Sequence, residues 1–233
     1  MTPLITSTLT GGWRETMRKL RVLVACEESG TIREAFRRLG HDAWSCDIQP
    51  ASDGSMYHVH NDVFKLFEDE SLYQWDLIIA HPPCTDLANS GARWFAQKRA
   101  DGRQQAAADF FMACYNLPAR FVAVENPVGV MSSLFRKPDQ IVQPWMFGDE
   151  ATKTTCWWTK GGLPQLVPTN VVGKGERTVT KSGRSLPTWY NIPPSNPDRA
   201  KLRSKTFQGM ADAIALQWGN YALEQIMREE KAA

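Results

Sequence analysis

Apolar positions in the first part of the chain alternate between strand-like runs and helix-like spacing. Residues 21–25 form an apolar run of strand length, and residues 43–46 form a second one. Between them, apolar residues repeat at helical intervals over residues 32–39. Thr31 and Glu34 have the spacing of a capping box at the start of this helix. The pattern therefore predicts a strand, a helix and a second strand.

The same alternation continues through the next eighty residues. Residues 76–80 predict a third strand that runs into Cys84, and residues 121–124 predict a fourth strand that ends at Glu125. Between these strands, residues 106–117 carry apolar side chains on one face of a helix. Strands that alternate with helices predict an α/β fold with a doubly wound, mostly parallel sheet.

Polar residues fall at the ends of the predicted strands. The segment 27–30, Asp47, Cys84 and Glu125 each follow one of the four strands. Ligands of such sheets bind beyond the carboxyl ends of the strands. This coincidence predicts an enzyme whose site lies at that edge of the sheet.

The alternating pattern weakens beyond residue 145. Residues 154–159 predict a further strand, residues 163–197 predict loops with a short hairpin, and residues 211–227 predict a closing helix. We expect four parts: a loose N-terminal extension at 1–19, a catalytic domain at 20–162, a basic segment at 163–205, and a C-terminal segment at 206–233 that returns to the catalytic domain.

Composition is that of an ordinary globular protein. The 233 residues are 42% apolar and 22% charged, and no apolar run approaches the roughly 20 residues that cross a bilayer. The first 20 residues contain no apolar stretch of signal-peptide length. The five cysteines are scattered and form no C-x-x-C pair, which argues against disulfides and metal sites and favours a reducing cytoplasm. We expect no membrane partner, and the oligomeric state stays open.

Positive charge is concentrated in one stretch of the chain. Between Lys174 and Lys205, eight basic residues stand against two acidic ones, so this stretch carries +6 within a chain of net charge +2. A basic, Pro- and Gly-rich segment on an acidic body is typical of contact with a polyanion such as nucleic acid. Solvated charge on a loop explains the same pattern equally well.

Two strand ends carry candidate catalytic groups. The prolines of His81-Pro82-Pro83-Cys84 fix the backbone before a cysteine, and a thiolate is well suited to attack C6 of a pyrimidine. Glu125 can reach N3 and the 4-amino group of cytosine, and burial beside apolar residues would favour its protonated form. Taken alone, each motif is equally typical of a turn.

The loop after the first predicted strand is a candidate nucleotide-binding loop. Gly30 permits close backbone approach, and the helix that follows offers free N–H groups at its N-terminus. Asp47 can accept hydrogen bonds from ribose hydroxyls, and Asp62 can bind an exocyclic amine. The absence of a G-x-G-x-x-G pattern argues against a dinucleotide cofactor.

The order and spacing of the catalytic motifs resemble those of the DNA cytosine-C5 methyltransferase family. Residues 76–84, with Ser90-Gly91 downstream, are similar to its Pro-Cys nucleophile loop, and residues 124–126 are similar to its Glu-Asn motif. Residues 152–164 resemble a reduced, phage-associated branch of this family. The resemblance implies a fold of the class I S-adenosylmethionine-dependent methyltransferase type.

The resemblance also implies a cofactor and its binding residues. Residues 25–30 and 46–50 resemble the family's S-adenosylmethionine segments, and residues 216–222 resemble its closing Gln-x-Gly-Asn motif, which returns to the cofactor pocket. The residues implied to bind S-adenosylmethionine are Glu28, Ser29, Gly30, Thr31, Asp47, Ile48, Asp62, Val63, Pro82 and Asn220.

The implied reaction is methylation of cytosine C5 in DNA. Cys84 adds to C6 of a base flipped out of the duplex, and Glu125 holds and protonates N3. No Gln-x-Arg-x-Arg motif of the family is evident, and Lys153 is the candidate for its positive charge.

The sequence departs from the family pattern in ways that keep alternatives open. Gly30 alone is retained from the usual Phe-x-Gly-x-Gly loop, and Thr85 stands where Gln normally follows the cysteine. The basic segment is short for a target-recognition region, which implies low sequence specificity or a partner protein that supplies it. The alternatives are pyrimidine modification of a free nucleotide or RNA, a cofactor variant that delivers a larger group, and a non-catalytic DNA-binding relic.

Overall fold

A seven-stranded sheet forms the centre of the protein, which the computed structural model describes over residues 18–68, 74–180 and 183–232. The strands are β1 (Arg21–Ala25), β2 (Asp42–Asp47), β3 (His58–His60), β4 (Trp75–Ala80), β5 (Ala119–Asn126), β6 (Gln140–Val142) and β7 (Thr155–Lys160). Their order across the sheet is β3-β2-β1-β4-β5-β7-β6.

The sheet is parallel from β3 to β5 and antiparallel at its other edge. β1 pairs in parallel with β2 and β4, and β4 pairs in parallel with β5. β7 runs antiparallel to both β5 and β6. All five predicted strands are present within one or two residues of their predicted ends. β3 and β6 were not predicted, because three residues are too few to show an alternating pattern.

Helices cover both faces of the sheet. They are α1 (Thr31–Arg38), α2 (Phe95–Ala100), α3 (Arg103–Tyr115), α4 (Met131–Leu134), α5 (Arg199–Ser204) and α6 (Gln208–Ala232). None of the helices in the described ranges is both long and apolar enough to span a membrane.

Alternate residues of the central strands face two separate layers of core. Val22 and Val24 of β1 pack with residues of α1 and α6, whereas Leu23 and Ala25 pack with Phe111 and other residues of α3. Strands buried on both faces are the form that a parallel sheet with helical crossovers requires. The predicted α/β fold with a doubly wound, mostly parallel sheet is confirmed.

The N-terminus of α1 is capped differently from the prediction. The helix begins at Thr31, and Gly30 precedes it in the left-handed conformation with φ 71° and without a side-chain cap. The capping-box prediction was therefore wrong. The carboxylate of Glu27 instead accepts hydrogen bonds from the backbone N–H groups of Ile32 at 2.8 Å and Arg33 at 3.3 Å. A buried carboxylate at this position satisfies free N–H groups and complements the helix dipole.

The basic segment joins the sheet to α6. It contains the predicted hairpin, formed by β8 (Arg177–Val179) and β9 (Ser185–Pro187), and it ends with α5. Leu163 and Leu166 at its start are buried in the core that includes α6. Residues 1–17 of the predicted N-terminal extension lie outside the described residues.

Candidate active site

A cleft of about 810 Å³ lies beyond the carboxyl ends of β1, β4 and β5. Cys84, Glu125 and Lys153, the three predicted catalytic residues, all line it. The opposite wall comes from the basic segment, which contributes Trp189 and Tyr190. The volume falls toward the upper end of the range of roughly 300–1,000 Å³ that small-molecule and cofactor sites occupy.

Hydrogen bonds fix the loop of Cys84 against the loop that follows Glu125. The side-chain amide of the buried Asn126 donates to the carbonyl oxygen of Pro82 at 3.1 Å. Ala88 and Gly129 form an antiparallel bridge, and the backbone N–H of Val130 donates to the carbonyl of Leu87 at 2.9 Å. These contacts hold the candidate nucleophile in a fixed position relative to the end of β5.

A buried lysine fixes the residues that follow Cys84. The Lys98 ammonium of α2 donates to the carbonyl of Thr85 at 2.6 Å and forms an ion pair with Asp86 at 3.0 Å. Gln104 of α3 donates to the backbone carbonyl of Asp86 at 3.3 Å. The helices α2 and α3 therefore hold the residues that follow Cys84 in place.

The Cys84 thiol lies in a mixed electrostatic environment. Its pKa is raised, chiefly because the side chain is buried and also because Glu125 is close. The positive charges of Lys153 and Arg203 oppose this rise. The thiol is therefore the resting form, and the two cations provide the charge that stabilises a thiolate.

Glu125 is ionised in this pocket, contrary to the expectation from sequence. Burial acts to raise its pKa, as predicted, but a hydrogen bond with His81 and the positive charge of Lys153 outweigh burial, so the pKa is lowered. His81 Nδ1 lies 3.5 Å from Glu125 Oε2. The prediction of a protonated carboxyl group was wrong. Nothing in the sequence indicates that His81 and Lys153 lie beside Glu125.

Lys153 connects the catalytic residues to the basic segment. Its ammonium donates to the carbonyl oxygens of Ser204 and Lys205, both at 2.9 Å, at the end of α5. Burial lowers the pKa of Lys153, and the charges of Glu125 and Cys84 oppose that effect. The predicted positive charge thus stands next to both candidate catalytic groups.

The predicted cofactor-binding residues divide into two groups. Four of them line the cleft with Cys84: Glu28, Ser29, Thr31 and Pro82. The other six are not among the residues that line it: Gly30, Asp47, Ile48, Asp62, Val63 and Asn220.

Gly30 has a structural role that the sequence did not reveal. A Cβ atom at this position would lie 2.1 Å from the Nη2 atom of Arg33, whose fully buried guanidinium fills the space beneath the loop. Arg33 also pairs with Asp53 and donates to the hydroxyl of Ser45 at 2.8 Å. Because Gly30 has no side chain, the Arg33 guanidinium can occupy the space beneath the loop.

Asn220 lies in the middle of α6 with an exposed side chain, away from the cleft residues. The adjacent Gly219 packs close to Phe36 of α1 and to His41. In the implied Gln-x-Gly-Asn motif, Gln217 exchanges hydrogen bonds with the backbone of Val167. The structure places this motif in the contact between α6, α1 and the start of the basic segment.

Two further cleft residues, His81 and Arg203, had no predicted role in catalysis. His81 belongs to the predicted nucleophile motif at residues 81–84. A histidine before two prolines does not indicate that its side chain contacts Glu125. The guanidinium of Arg203 lies 3.5 Å from the centre of the Tyr190 ring. Within the described part of the chain, no cluster of His, Cys, Asp and Glu side chains has the arrangement of a metal site.

The chain was compared with protein families, curated proteins and solved structures, and likenesses were found among the solved structures. No protein-family model and no curated protein matches the chain. Among solved structures, the methyltransferase EhMeth of Entamoeba histolytica is similar, with a TM-score of 0.46 and 17% sequence identity. The likeness covers 66% of this chain and 58% of the EhMeth chain, so this chain spans less than two thirds of that protein's length.

Replacing Gly129 by alanine tests whether the tie between the two loops, formed by the Asn126–Pro82 hydrogen bond and the Ala88–Gly129 bridge, stabilises the protein. A Cβ at Gly129 would lie 2.1 Å from the carbonyl oxygen of Leu87, so Gly129→Ala should lower the free energy of unfolding by about 1–3 kcal/mol. Chemical denaturation measures this change. Gly173→Ala is the matched control, because a Cβ there would have its nearest neighbour at 3.8 Å. Equal stability of the two variants would contradict a structural role for the tie.

Alkylation of Cys84 tests the electrostatics of the cleft. At neutral pH, Glu125→Gln should react faster with iodoacetamide than the unchanged protein, because it removes a charge that raises the pKa of Cys84. Lys153→Met should react more slowly, and each pKa unit changes the thiolate fraction about tenfold. Peptide mass mapping measures the rates. Cys114, which is buried in the core and does not line the cleft, is the internal control. Identical rates in all three proteins would refute the proposed coupling.

Proposed function

We propose that this protein transfers a methyl group to C5 of cytosine in DNA through a covalent adduct between Cys84 and C6. The observation that carries the proposal is that Cys84 and Glu125 line one cleft with Glu28, Ser29 and Thr31 of the first loop. The reaction needs a thiol that attacks the base, a carboxyl group for the edge of the pyrimidine, and a neighbouring cofactor site.

The residues of the first loop suit S-adenosylmethionine. Glu28, Ser29, Thr31 and Pro82 would hold it, and the carboxylate of Glu28 on the cleft wall suits a ligand that carries a sulfonium and an ammonium group. When bound, the cofactor supplies an electrophilic methyl group. The cleft volume of about 810 Å³ leaves room for a nucleotide beside it.

Cys84 and Glu125 act on different atoms of the base. The target cytosine leaves the duplex to reach the cleft, since its reactive carbons are inaccessible while it is stacked. The Cys84 thiol gives its proton to solvent, and the thiolate adds to C6, with Lys153 and Arg203 stabilising the thiolate. The Glu125 carboxylate accepts a hydrogen bond from the 4-amino group while negative charge moves into the ring, and N3 takes a proton from solvent. Loss of the C5 proton then allows the bond between Cys84 and C6 to break.

The basic segment would hold the nucleic acid. Lys201 and Lys205 line the cleft with exposed side chains that can contact phosphates. Trp189 and Tyr190 pack edge to face at 5.4 Å in the same wall and offer surfaces on which bases can stack. So small a surface suits low sequence specificity or a partner protein that supplies it.

Methyl transfer from labelled cofactor tests the reaction and the nucleophile. The protein should transfer the methyl group to cytosine C5 in duplex DNA, as nucleoside mass analysis shows, and Cys84→Ser should reduce transfer to background. Cys114→Ala is the matched control, because Cys114 is buried in the core with α3 and does not line the cleft. Full activity of Cys84→Ser would refute the assignment of the nucleophile.

Parallel reactions separate the substrate classes. RNA and dCMP in place of duplex DNA would reveal an enzyme of related chemistry on another substrate, and the mass of the product would reveal a larger transferred group. A covalent complex with 5-fluorocytosine DNA that forms only when Cys84 is present would exclude a non-catalytic DNA-binding protein.

Salt dependence tests the phosphate contacts of the basic segment. Lys201→Ser and Lys205→Ser should each weaken DNA binding for all sequences and reduce the slope of log K against log salt by about 1, because one phosphate is no longer neutralised. Fluorescence anisotropy at several salt concentrations measures this. Lys137→Ser removes an exposed lysine that does not line the cleft and should leave the slope unchanged. An unchanged slope in both variants of the basic segment would contradict the phosphate contacts.

A further inference from the structure

One arginine of the cleft has no partner of opposite charge among the described residues. Arg203 of α5 lines the cleft and forms no ion pair with a described carboxylate, and its Nε is buried without a hydrogen-bond partner. Arginines elsewhere around the sheet are paired, as Arg33 is with Asp53 and Arg136 is with Asp139. A guanidinium that is partly removed from water is costly unless an anion pairs with it. Arg203 therefore suits a ligand that brings its own negative charge.

Aromatic side chains fix the orientation of the Arg203 guanidinium. Its carbon atom lies 3.5 Å from the centre of the Tyr190 ring. Tyr190 packs edge to face against Trp189 at 5.4 Å, and Trp189 packs against Phe207 at 5.2 Å. Stacking engages the face of the guanidinium and leaves the N–H groups at its edge free to donate. The buried Nε1 of Trp189, in the same wall, also has no partner in the described structure. This wall therefore offers N–H donors to a ligand with acceptor oxygens.

Arg203 lies on the Cys84 side of the cleft. Its charge acts on the Cys84 thiol, but it is not among the charges that act on Glu125. The Lys153 ammonium donates to the carbonyl oxygen of Ser204 at 2.9 Å, so the residue after Arg203 is tied to the catalytic residues. The guanidinium is therefore held beside the nucleophile and away from the carboxylate.

The structure of a pyrimidine nucleotide indicates which of its groups would meet Arg203. Cys84 attacks C6, and C6 is bonded to N1, which carries the sugar. In the usual anti conformation, C6 faces the 5′-phosphate of the same nucleotide. Glu125 faces the 4-amino group, on the other side of the ring. A cation beside Cys84 is therefore next to the phosphate and not next to the base-pairing edge.

We propose that Arg203 binds the 5′-phosphate of the nucleotide whose base reacts with Cys84. The inference rests on the proposed function, because it concerns how the same cleft holds its substrate. A planar guanidinium can bind two oxygens of one phosphate, which fixes the orientation of the nucleotide as well as its position. It carries five N–H groups, so others remain near Cys84. This role differs from that of Lys201 and Lys205, whose exposed side chains can contact phosphates further along a nucleic acid.

The same phosphate chemistry has two sources. A free nucleotide carries a phosphate monoester, and a nucleic acid carries a diester. The mononucleotide dCMP and the dinucleotide d(TpC) represent these sources, because each places a phosphate on the 5′ side of a cytidine. Deoxycytidine has the same base and sugar without the phosphate. These three compounds are the probes for the site.

NMR of the arginine side chains tests the contact without any methyl transfer. In protein labelled with ¹⁵N at arginine, the Nε–H resonance of Arg203 is identified by its loss in Arg203→Lys. Both dCMP and d(TpC) should shift this resonance, and deoxycytidine should not. A shift with dCMP alone would support the site with a free nucleotide as the source. A shift with deoxycytidine as large as with dCMP would overturn the inference. So would a shift with S-adenosylhomocysteine and none with either phosphate compound, since the guanidinium would then belong to the cofactor.

Binding affinities measure what the contact contributes. Arg203→Gln should raise the Kd of dCMP about tenfold and leave the Kd of deoxycytidine unchanged, since a hydrogen bond to a charged group contributes at least that factor. Arg203→Lys keeps the charge without the planar fork, so its Kd for dCMP should lie between the two. Calorimetry measures these values.

Arg228→Gln is the matched control, because Arg228 is exposed on α6 and does not line the cleft. It should leave both Kd values unchanged. An equal rise for dCMP and deoxycytidine in Arg203→Gln would overturn the inference, because the loss would not depend on the phosphate. The lysine variant decides the question in the same way if the glutamine variant does not fold. If the unchanged protein methylates none of the substrates, the proposed function fails, while the arginine resonance still decides the phosphate site.

Discussion

The tie between the loops after β4 and β5 is the constraint on which the candidate site depends. The hydrogen bond from Asn126 to Pro82 and the bridge between Ala88 and Gly129 join two loops that are more than 40 residues apart in sequence. Parallel strands bring these loops to the same edge of the sheet, but they do not set the distance between them. The tie sets this distance, and the close contact leaves no room for a side chain at Gly129. A thiol and a carboxyl group that must act on one ring need this kind of fixed support.

Burial of several charges in one place gives the site its chemical character. Glu27, Glu125 and Lys153 would each be costly to bury alone, because removal from water disfavours the charged form. Around Glu125, His81 and the charge of Lys153 outweigh burial and lower its pKa, whereas burial still raises the pKa of Glu27. The result is an ionised carboxyl group and a neutral thiol at rest, with positive charge available nearby. This arrangement suits a reaction in which charge appears on sulfur and in the ring only as the bond forms.

The basic segment is part of the cleft as well as the proposed surface for nucleic acid. Lys153 binds the last carbonyls of α5 on one side, and Lys201 reaches Ser52 and Glu28 in the first loops on the other. α5 therefore spans from the catalytic residues to the candidate cofactor loop. The short recognition region and the unusual cofactor loop are thus physically connected.

The sequence by itself determined the fold class and the two candidate catalytic residues. Buried strands and an amphipathic helix leave periodic patterns, and Cys84 and Glu125 stand directly after two such strands. Only the tertiary structure decided the ionisation of Glu125, the role of Gly30 and the position of Asn220. These depend on His81, Arg33 and the packing of α6, which are contacts between residues without a fixed spacing in sequence. Periodicity indicates which side of a helix or strand is buried. It does not indicate which charged residue of another element lies beside a given side chain.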